Sequence, residues 1–213
     1  MKNTTKTDKS TRFWDKLAPR FDRYEEKSEA TYKLMTDKVQ GYLGKNDFVC
    51  DFGCGTGLVS NPIAPFVRQI KAIDISSKMI EIARNKATEL GIGNIEFTQT
   101  NIFDSSLAEG SFDVVIAAYI LHLVDDIASV IIRINKLLKP GGLMLSVTPC
   151  LGDAAFLRFM LSAAAFTGLV PKTKAFKVSN LESKIKCASF EINESVCLNP
   201  DGQQQFIAAK KFM

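Results

Sequence analysis

Residues Val49-Cys50-Asp51-Phe52-Gly53-Cys54-Gly55-Thr56-Gly57 join a short apolar run to three glycines at alternate positions, and no other segment restricts the fold so tightly. Such a run reads as a strand buried on both faces. The glycines tolerate left-handed dihedrals and, lacking Cβ, let another group approach the backbone closely. A strand that runs into such a turn is how α/β sheets present backbone to a ligand at the carboxyl end of a strand. The spacing is informative in itself. Dinucleotide fingerprints run G-x-G-x-x-G, whereas here the third glycine comes one residue early, as Gly53-x-Gly55-x-Gly57. That argues against an NAD(P)-dependent oxidoreductase.

The order of elements downstream predicts a parallel sheet. Val59 to Val67 reads as a short helix made irregular by Pro62 and Pro65. Gln69-Ile70-Lys71-Ala72-Ile73-Asp74 is a second strand ending in an acid. Ser76 is a good N-cap for a helix that stops near Gly91. Asn94 to Ile102 reads as strand three, and the apolar run Phe112 to Ala118 as strand four. Ile127, Val130, Ile131, Ile134, Leu137 and Leu138 give one helical face over Asp125 to Leu138, and the turn Lys139-Pro140-Gly141-Gly142 leads into strand five at Leu143 to Thr148. Phe190 to Leu198 and Gln204 to Lys211 read as a terminal hairpin turning at Asn199-Pro200-Asp201-Gly202. Strands alternating with helices imply right-handed crossovers, with ligands at the carboxyl ends of the strands.

The 213 residues suit a single domain, with 1–40 as a tail and lid and 41–213 as the α/β body. Met1 to about Thr11 is polar and expected to be mobile. Lys and Arg exceed Asp and Glu by 27 − 23 = +4, a mild bias without the clustered stripe of a nucleic-acid binder, so no nucleic-acid partner is expected. Five cysteines with no C-x-x-C pair, beside a single histidine, offer no zinc-ligand spacing, and no metal is expected. The start lacks the apolar region of a secretory signal, so a reducing cytoplasm with free thiols is expected.

The D-F-G-C-G-T-G segment resembles motif I of the class I S-adenosylmethionine-dependent methyltransferases. The resemblance extends through the acid at Asp74 and the L-K-P-G-G segment, covering roughly residues 45 to 150. It implies an α/β, doubly wound, mostly parallel seven-stranded Rossmann-like sheet with an antiparallel C-terminal strand. It also implies S-adenosylmethionine as cofactor and assigns roles by position. Asp51 and Gly53 would lie near the methionine amino group, with Cys54, Gly55 and Gly57 along the backbone approach. Asp74 would hold the ribose, and Ile75 and Met79 would flank the adenine. Asn101 and Ile102 stand where the family has an acid meeting the adenine amino group, and Asn101 can accept through its carbonyl oxygen. Ala117, on strand four, completes the cofactor set. Cys54 reads as a small packed residue, since no histidine near it in sequence would activate it as a nucleophile.

His122, just past strand four, is the candidate general base; an orienting role is the alternative. Asp125 and Asp126 read as helix caps. The segment Phe13-Trp14-Asp15-Lys16-Leu17-Ala18-Pro19-Arg20-Phe21-Asp22 resembles the N-terminal lid W-D-x-x-A-x-x-Y-D of small-molecule members, with Phe21 replacing the tyrosine. Closing it would bury Phe13 and Trp14. Ala154 to Val170 is too broken to span a membrane. It is open whether it caps the core, lines an apolar acceptor pocket or meets lipid or a second subunit. The reading is methyl transfer to a small-molecule acceptor, with a lipophilic one such as a quinone precursor or lipid favoured. The absence of an Asn-Pro-Pro-Tyr-type motif at Ala117-Ala118-Tyr119-Ile120 argues against DNA-base methylation. The alternative is a non-catalytic protein that binds S-adenosylmethionine or S-adenosylhomocysteine and regulates a partner. A monomer and a homodimer are both compatible with the sequence.

Overall fold

A computed structural model describes residues 4–25, 29–150, 177–198 and 204–213. It divides into two compact units, Met1–Asp104 and Ser105–Met213. In the first, helices α1 (Thr4–Glu25) and α2 (Glu29–Gln40) precede strand β1 (Phe48–Phe52). A short α3 (Ser60–Ile63) passes into a 3-10 turn at Ala64–Phe66, then β2 (Gln69–Asp74), α4 (Ser77–Glu89) and β3 (Ile95–Gln99) follow. The strands run parallel in the order β3-β2-β1. Ser76 caps α4 as its sequence predicts, its Oγ accepting from Met79 N–H at 3.1 Å, and Gly91 ends the helix region at φ +67°. The irregular segment around Pro62 and Pro65 is the α3 to 3-10 junction.

The polar N-terminus differs from expectation. Helix α1 begins at Thr4 rather than after Thr11. Once Phe13 to Asp22 packs, the chain before it can extend the helix at low cost, since no Gly or Pro interrupts it before Pro19.

The second unit holds β4 (Phe112–Ala118), α5 (Ile127–Leu137), β5 (Leu138–Pro149), α6 (Val178–Cys187), β6 (Phe190–Cys197) and β7 (Gln204–Lys211). The order is β4-β5-β7-β6, with β4 and β5 parallel and β7 antiparallel to both neighbours. This is the mostly parallel α/β class with an antiparallel C-terminal strand, with seven strands among the described residues. Asp126 caps α5, its Oδ1 accepting from Ala128 N–H at 3.1 Å and Ser129 N–H at 3.2 Å.

One expectation is corrected here. The L-K-P-G-G segment is not a turn before the strand; β5 already starts at Leu138, which pairs with Phe112, and the ladder resumes at Val114 with Leu143. Lys139 to Gly142 are therefore accommodated as a bulge inside the strand, with Gly141 at φ +75°. Helix α6 is an addition to the elements read from the sequence. It buries only Leu181 and Ile185, and Lys177 at its N-cap makes no side-chain cap, so neither periodicity nor capping announces it. The apolar 154–170 segment and the 199–202 turn lie outside the described residues. Among those described, no helix is long and apolar enough to cross a membrane.

Gly142 fixes the bulge sterically. A Cβ there would stand 2.9 Å from Asp113 O, 3.0 Å from Lys139 O and 3.1 Å from Leu138 Cδ2. Gly142→Ala should therefore cost about 1–3 kcal/mol of stability in urea unfolding; an unchanged midpoint would show that the bulge yields freely.

Candidate functional site

The glycine loop is tied to β2 before any ligand is considered. Gly53 N–H and Cys54 N–H both donate to Ile73 O, at 2.8 and 3.1 Å. Gly53, Gly55 and Gly57 all have left-handed φ, at 74°, 53° and 82°, which is why this turn needs residues without Cβ. The Asp74 carboxylate closes the arrangement. Its Oδ2 accepts from Gly55 N–H at 3.1 Å and its Oδ1 from Ser76 N–H at 2.8 Å. A carboxylate offers about four lone-pair sites, so these amides still leave room for a hydroxyl to be received. Burial raises the Asp74 pKa, and the backbone N–H groups of Ser76, Gly55 and Ile75 pull it back.

Asp51 lies within the buried part of β1, one residue before its end. It is 1 % exposed and accepts from Ser60 Oγ at 2.5 Å. Burial pushes its pKa up to about 6 against the Ser60 hydrogen bond, and the charge of Asp74 adds to the rise. Among the described residues no cation pairs with Asp51. Next to Ser60, Asn61 Oδ1 is buried without a partner. A Cβ on Gly57 would sit 3.1 Å from Asn61 Nδ2, which puts that amide against the loop. A buried carboxylate lacking a cation, and an orphaned acceptor next to the serine that bonds it, suit a ligand with a cationic donor. Asn61 went unmarked in the sequence because it lies beyond the glycine motif and only burial reveals it.

The remaining candidates of this unit take varied places. Met79 and Ile102 are buried and Ile75 is half-buried. Asn101 is exposed, and its Oδ1 accepts from Phe103 N–H at 2.8 Å in a local turn, leaving one lone pair on that oxygen. Cys54 is buried, and burial raises its thiol pKa well above the ordinary value, so it packs as a neutral thiol.

Helix α1 meets the same loop. Phe21 Cε1 lies 3.8 Å from where a Cβ on Gly55 would be. Asp22 Oδ1 accepts from Thr56 Oγ1 at 2.5 Å, and its Oδ2 pairs with Lys86. Asp15 Oδ1 accepts from Ser76 Oγ at 2.6 Å and from Lys78 N–H at 3.2 Å. Phe13 and Trp14 are only half-buried, packed edge to face at 5.2 Å, while Ala18 is fully covered.

In the second unit, Ala117 is fully buried on β4. Tyr119 follows at φ +54°, a conformation an ordinary side chain resists. Its N–H donates to Val147 O at 2.8 Å and its hydroxyl to Gln204 Oε1 at 2.5 Å. Nearby in sequence, His122 Nδ1 is buried without a partner. Burial lowers the His122 pKa to about 4, so the ring is neutral at physiological pH. A neutral imidazole with an unpaired nitrogen can accept a proton.

A family model for a methyltransferase domain matches residues 43–205. The chain is 36 % identical over 100 residues to a ubiquinone biosynthesis O-methyltransferase of Methylocella silvestris, covering 47 % of this chain and 39 % of that protein. It is 30 % identical over 152 residues to the protein of the same name from Paracidovorax citrulli, covering 68 % of this chain and 63 % of the relative. The match thus spans less than two thirds of either relative. In fold, it is similar to a geranyl diphosphate C-methyltransferase from Streptomyces coelicolor solved with Mg2+, geranyl diphosphate and S-adenosyl-L-homocysteine. That likeness has a TM-score of 0.71 at 18 % identity, over 86 % of this chain and 79 % of that one.

As His122 is the single histidine, its ring proton can be followed without ambiguity in untagged protein. The folded pKa of about 4 lies below the ordinary 6.5, so the unfolded chain binds more protons in that window. The histidine's contribution to stability is full above 6.5 and is lost as pH falls towards 4. NMR titration should show the His122 resonance unmoved from pH 7.5 to pH 5.5; a midpoint near 6.5 would mean that the ring is solvated.

Proposed function

Because the chain belongs to the class I S-adenosylmethionine-dependent methyltransferases, we propose that it methylates a small-molecule acceptor and releases S-adenosylhomocysteine. The observation that carries the reading is the cradle of Gly53 to Gly57 and Asp74, closed by the buried, cation-free Asp51. Asp51, with Asn61, would receive the cationic amino group of the methionine moiety. Gly53, Cys54, Gly55 and Gly57 would line the backbone approach, and the free lone pairs of Asp74 would accept the ribose hydroxyls. Ile75 and Met79 would flank the adenine, with Asn101 and Ile102 at its edge and Ala117 completing the set. When bound, the cofactor supplies a methyl group activated by a sulfonium, so the protein's task is to position the acceptor and exclude water.

The finer reading is a lipophilic acceptor methylated at a hydroxyl oxygen. The names of the two bacterial relatives support it, as does the neutral His122, whose Nδ1 has no hydrogen-bond partner and whose ring could take a hydroxyl proton. In this reading His122 would receive the proton of the acceptor hydroxyl.

Calorimetric titration with S-adenosylmethionine, S-adenosylhomocysteine and NADH tests the cofactor. The two sulfur ligands should bind and NADH should not, and Asp74→Asn should weaken binding roughly 10- to 100-fold through loss of charged hydrogen bonds. Preference for NADH would overturn the family roles. For turnover on a phenolic acceptor, His122→Gln should lower kcat about 100-fold or more with cofactor affinity unchanged; full activity in that variant would remove His122 from the reaction.

Asp51 adds a linkage. Its pKa of about 6 lies above the ordinary 3.8, so folding takes up a proton between those values, and Asp51's contribution to stability is lost as pH rises through that window. A cation arriving beside it would favour the carboxylate. Cofactor binding at pH 6 should therefore release a fraction of a proton, read as a binding heat that depends on the buffer's ionisation enthalpy; Asp51→Asn should abolish that dependence.

A further inference from the structure

The two acids of the lid motif, Asp15 and Asp22, have no part in the roles above. We infer that they form a two-point latch that holds α1 across the glycine loop and sets the rate of cofactor exchange; the inference rests on the cofactor site proposed above. Both lie on one face of α1, two helical turns apart. Each grips a different wall of the cradle. Asp15 takes the Ser76 hydroxyl and the Lys78 amide at the start of α4. Asp22 takes the Thr56 hydroxyl inside the glycine loop and pairs with Lys86 further along α4. Between these points stand Gly55 and Asp74, joined by their own hydrogen bond, with the Phe21 ring over Gly55. The helix thus straddles the pair of residues on which the ribose would rest, and a ligand entering or leaving there has to pass it.

The contacts suit a latch better than a permanent seam. Apart from Ala18, the inward side of α1 is only half-buried at Phe13, Trp14, Leu17 and Phe21, so lifting it exposes little further apolar surface. Its outer side carries Lys9, Arg12, Lys16, Arg20 and Arg23, all exposed, and offers no second apolar face. Releasing Asp15 leaves the α4 cap in place, because Ser76 Oγ accepts from Met79 N–H independently of the bond that it donates to Asp15. Every group freed by opening can turn to water, so the closed state is favoured only modestly and can be left on the timescale of turnover.

The experiment follows release of labelled S-adenosylhomocysteine in a chase, with emission of Trp14, the single tryptophan, recorded alongside, and hydrogen exchange of the α1 amides in cofactor-free protein. Asp15→Ala and Asp22→Ala should each release the ligand about 10-fold faster, and their α1 amides should exchange faster even without ligand. Asp15→Asn keeps an acceptor for Ser76 and Lys78 and should restore most of the slow release, which a general loss of helix stability would not. Wild-type protein that binds the ligand, with release and exchange unchanged in the alanine variants, overturns the latch alone. Wild-type protein that fails to bind it in the calorimeter overturns the cofactor site and the exchange role together.

Discussion

The Asp74 carboxylate is the interaction on which the rest of the first unit depends. It takes the Gly55 amide from the glycine loop and the Ser76 amide from the start of the β2–α4 turn, so two separate segments share a single anion. Without that anion, Gly55 and Ser76 would present unpaired amides in a confined space. Everything else that touches the loop builds on this tie: the cap of α4, the seat of Phe21 and both grips of α1.

The arrangement also carries an electrostatic tension. Asp51 and Asp74 are both withdrawn from water, each held above its ordinary pKa mainly by burial, and each gains further from a neighbouring acid, Asp74 for Asp51 and Asp15 for Asp74. Backbone amides answer the charge of Asp74, and a lone hydroxyl answers that of Asp51. The site therefore keeps an unanswered negative charge at the end nearest β1. A cationic ligand relieves it, and a neutral or anionic one does not. Selectivity for a ligand with a positive charge follows from this imbalance before shape is considered.

Legibility from sequence followed locality. The glycine loop, Asp74, the Ser76 cap and the apolar β4 could be read because each is a pattern within a dozen residues whose cause is local sterics or hydrogen bonding. The grip of Asp15 on Ser76 spans 61 residues, and nothing near Asp15 foretells it. Asn61 carries no motif, and α6 has too few apolar positions to show a period. The L-K-P-G-G segment misled for a different reason: Pro and paired glycines mark turns and bulges alike, and only the ladder from Phe112 to Val114 decides between them. Asn101 stands at the motif position, but only the structure shows that its carbonyl oxygen already accepts from Phe103 N–H in a local turn.

Tyr119 shows where the second unit departs from its own most relaxed backbone. A glycine or asparagine would occupy φ +54° at less cost, yet neither could span from the end of β4 to Gln204 on β7. The hydroxyl thus works as a strut: it fastens the first residue after a parallel strand to the first residue of an antiparallel one, two ladders away. Relaxing the backbone at this position would detach the loop that carries His122 from that brace, so greater local comfort would come with looser placement of the one imidazole in the chain.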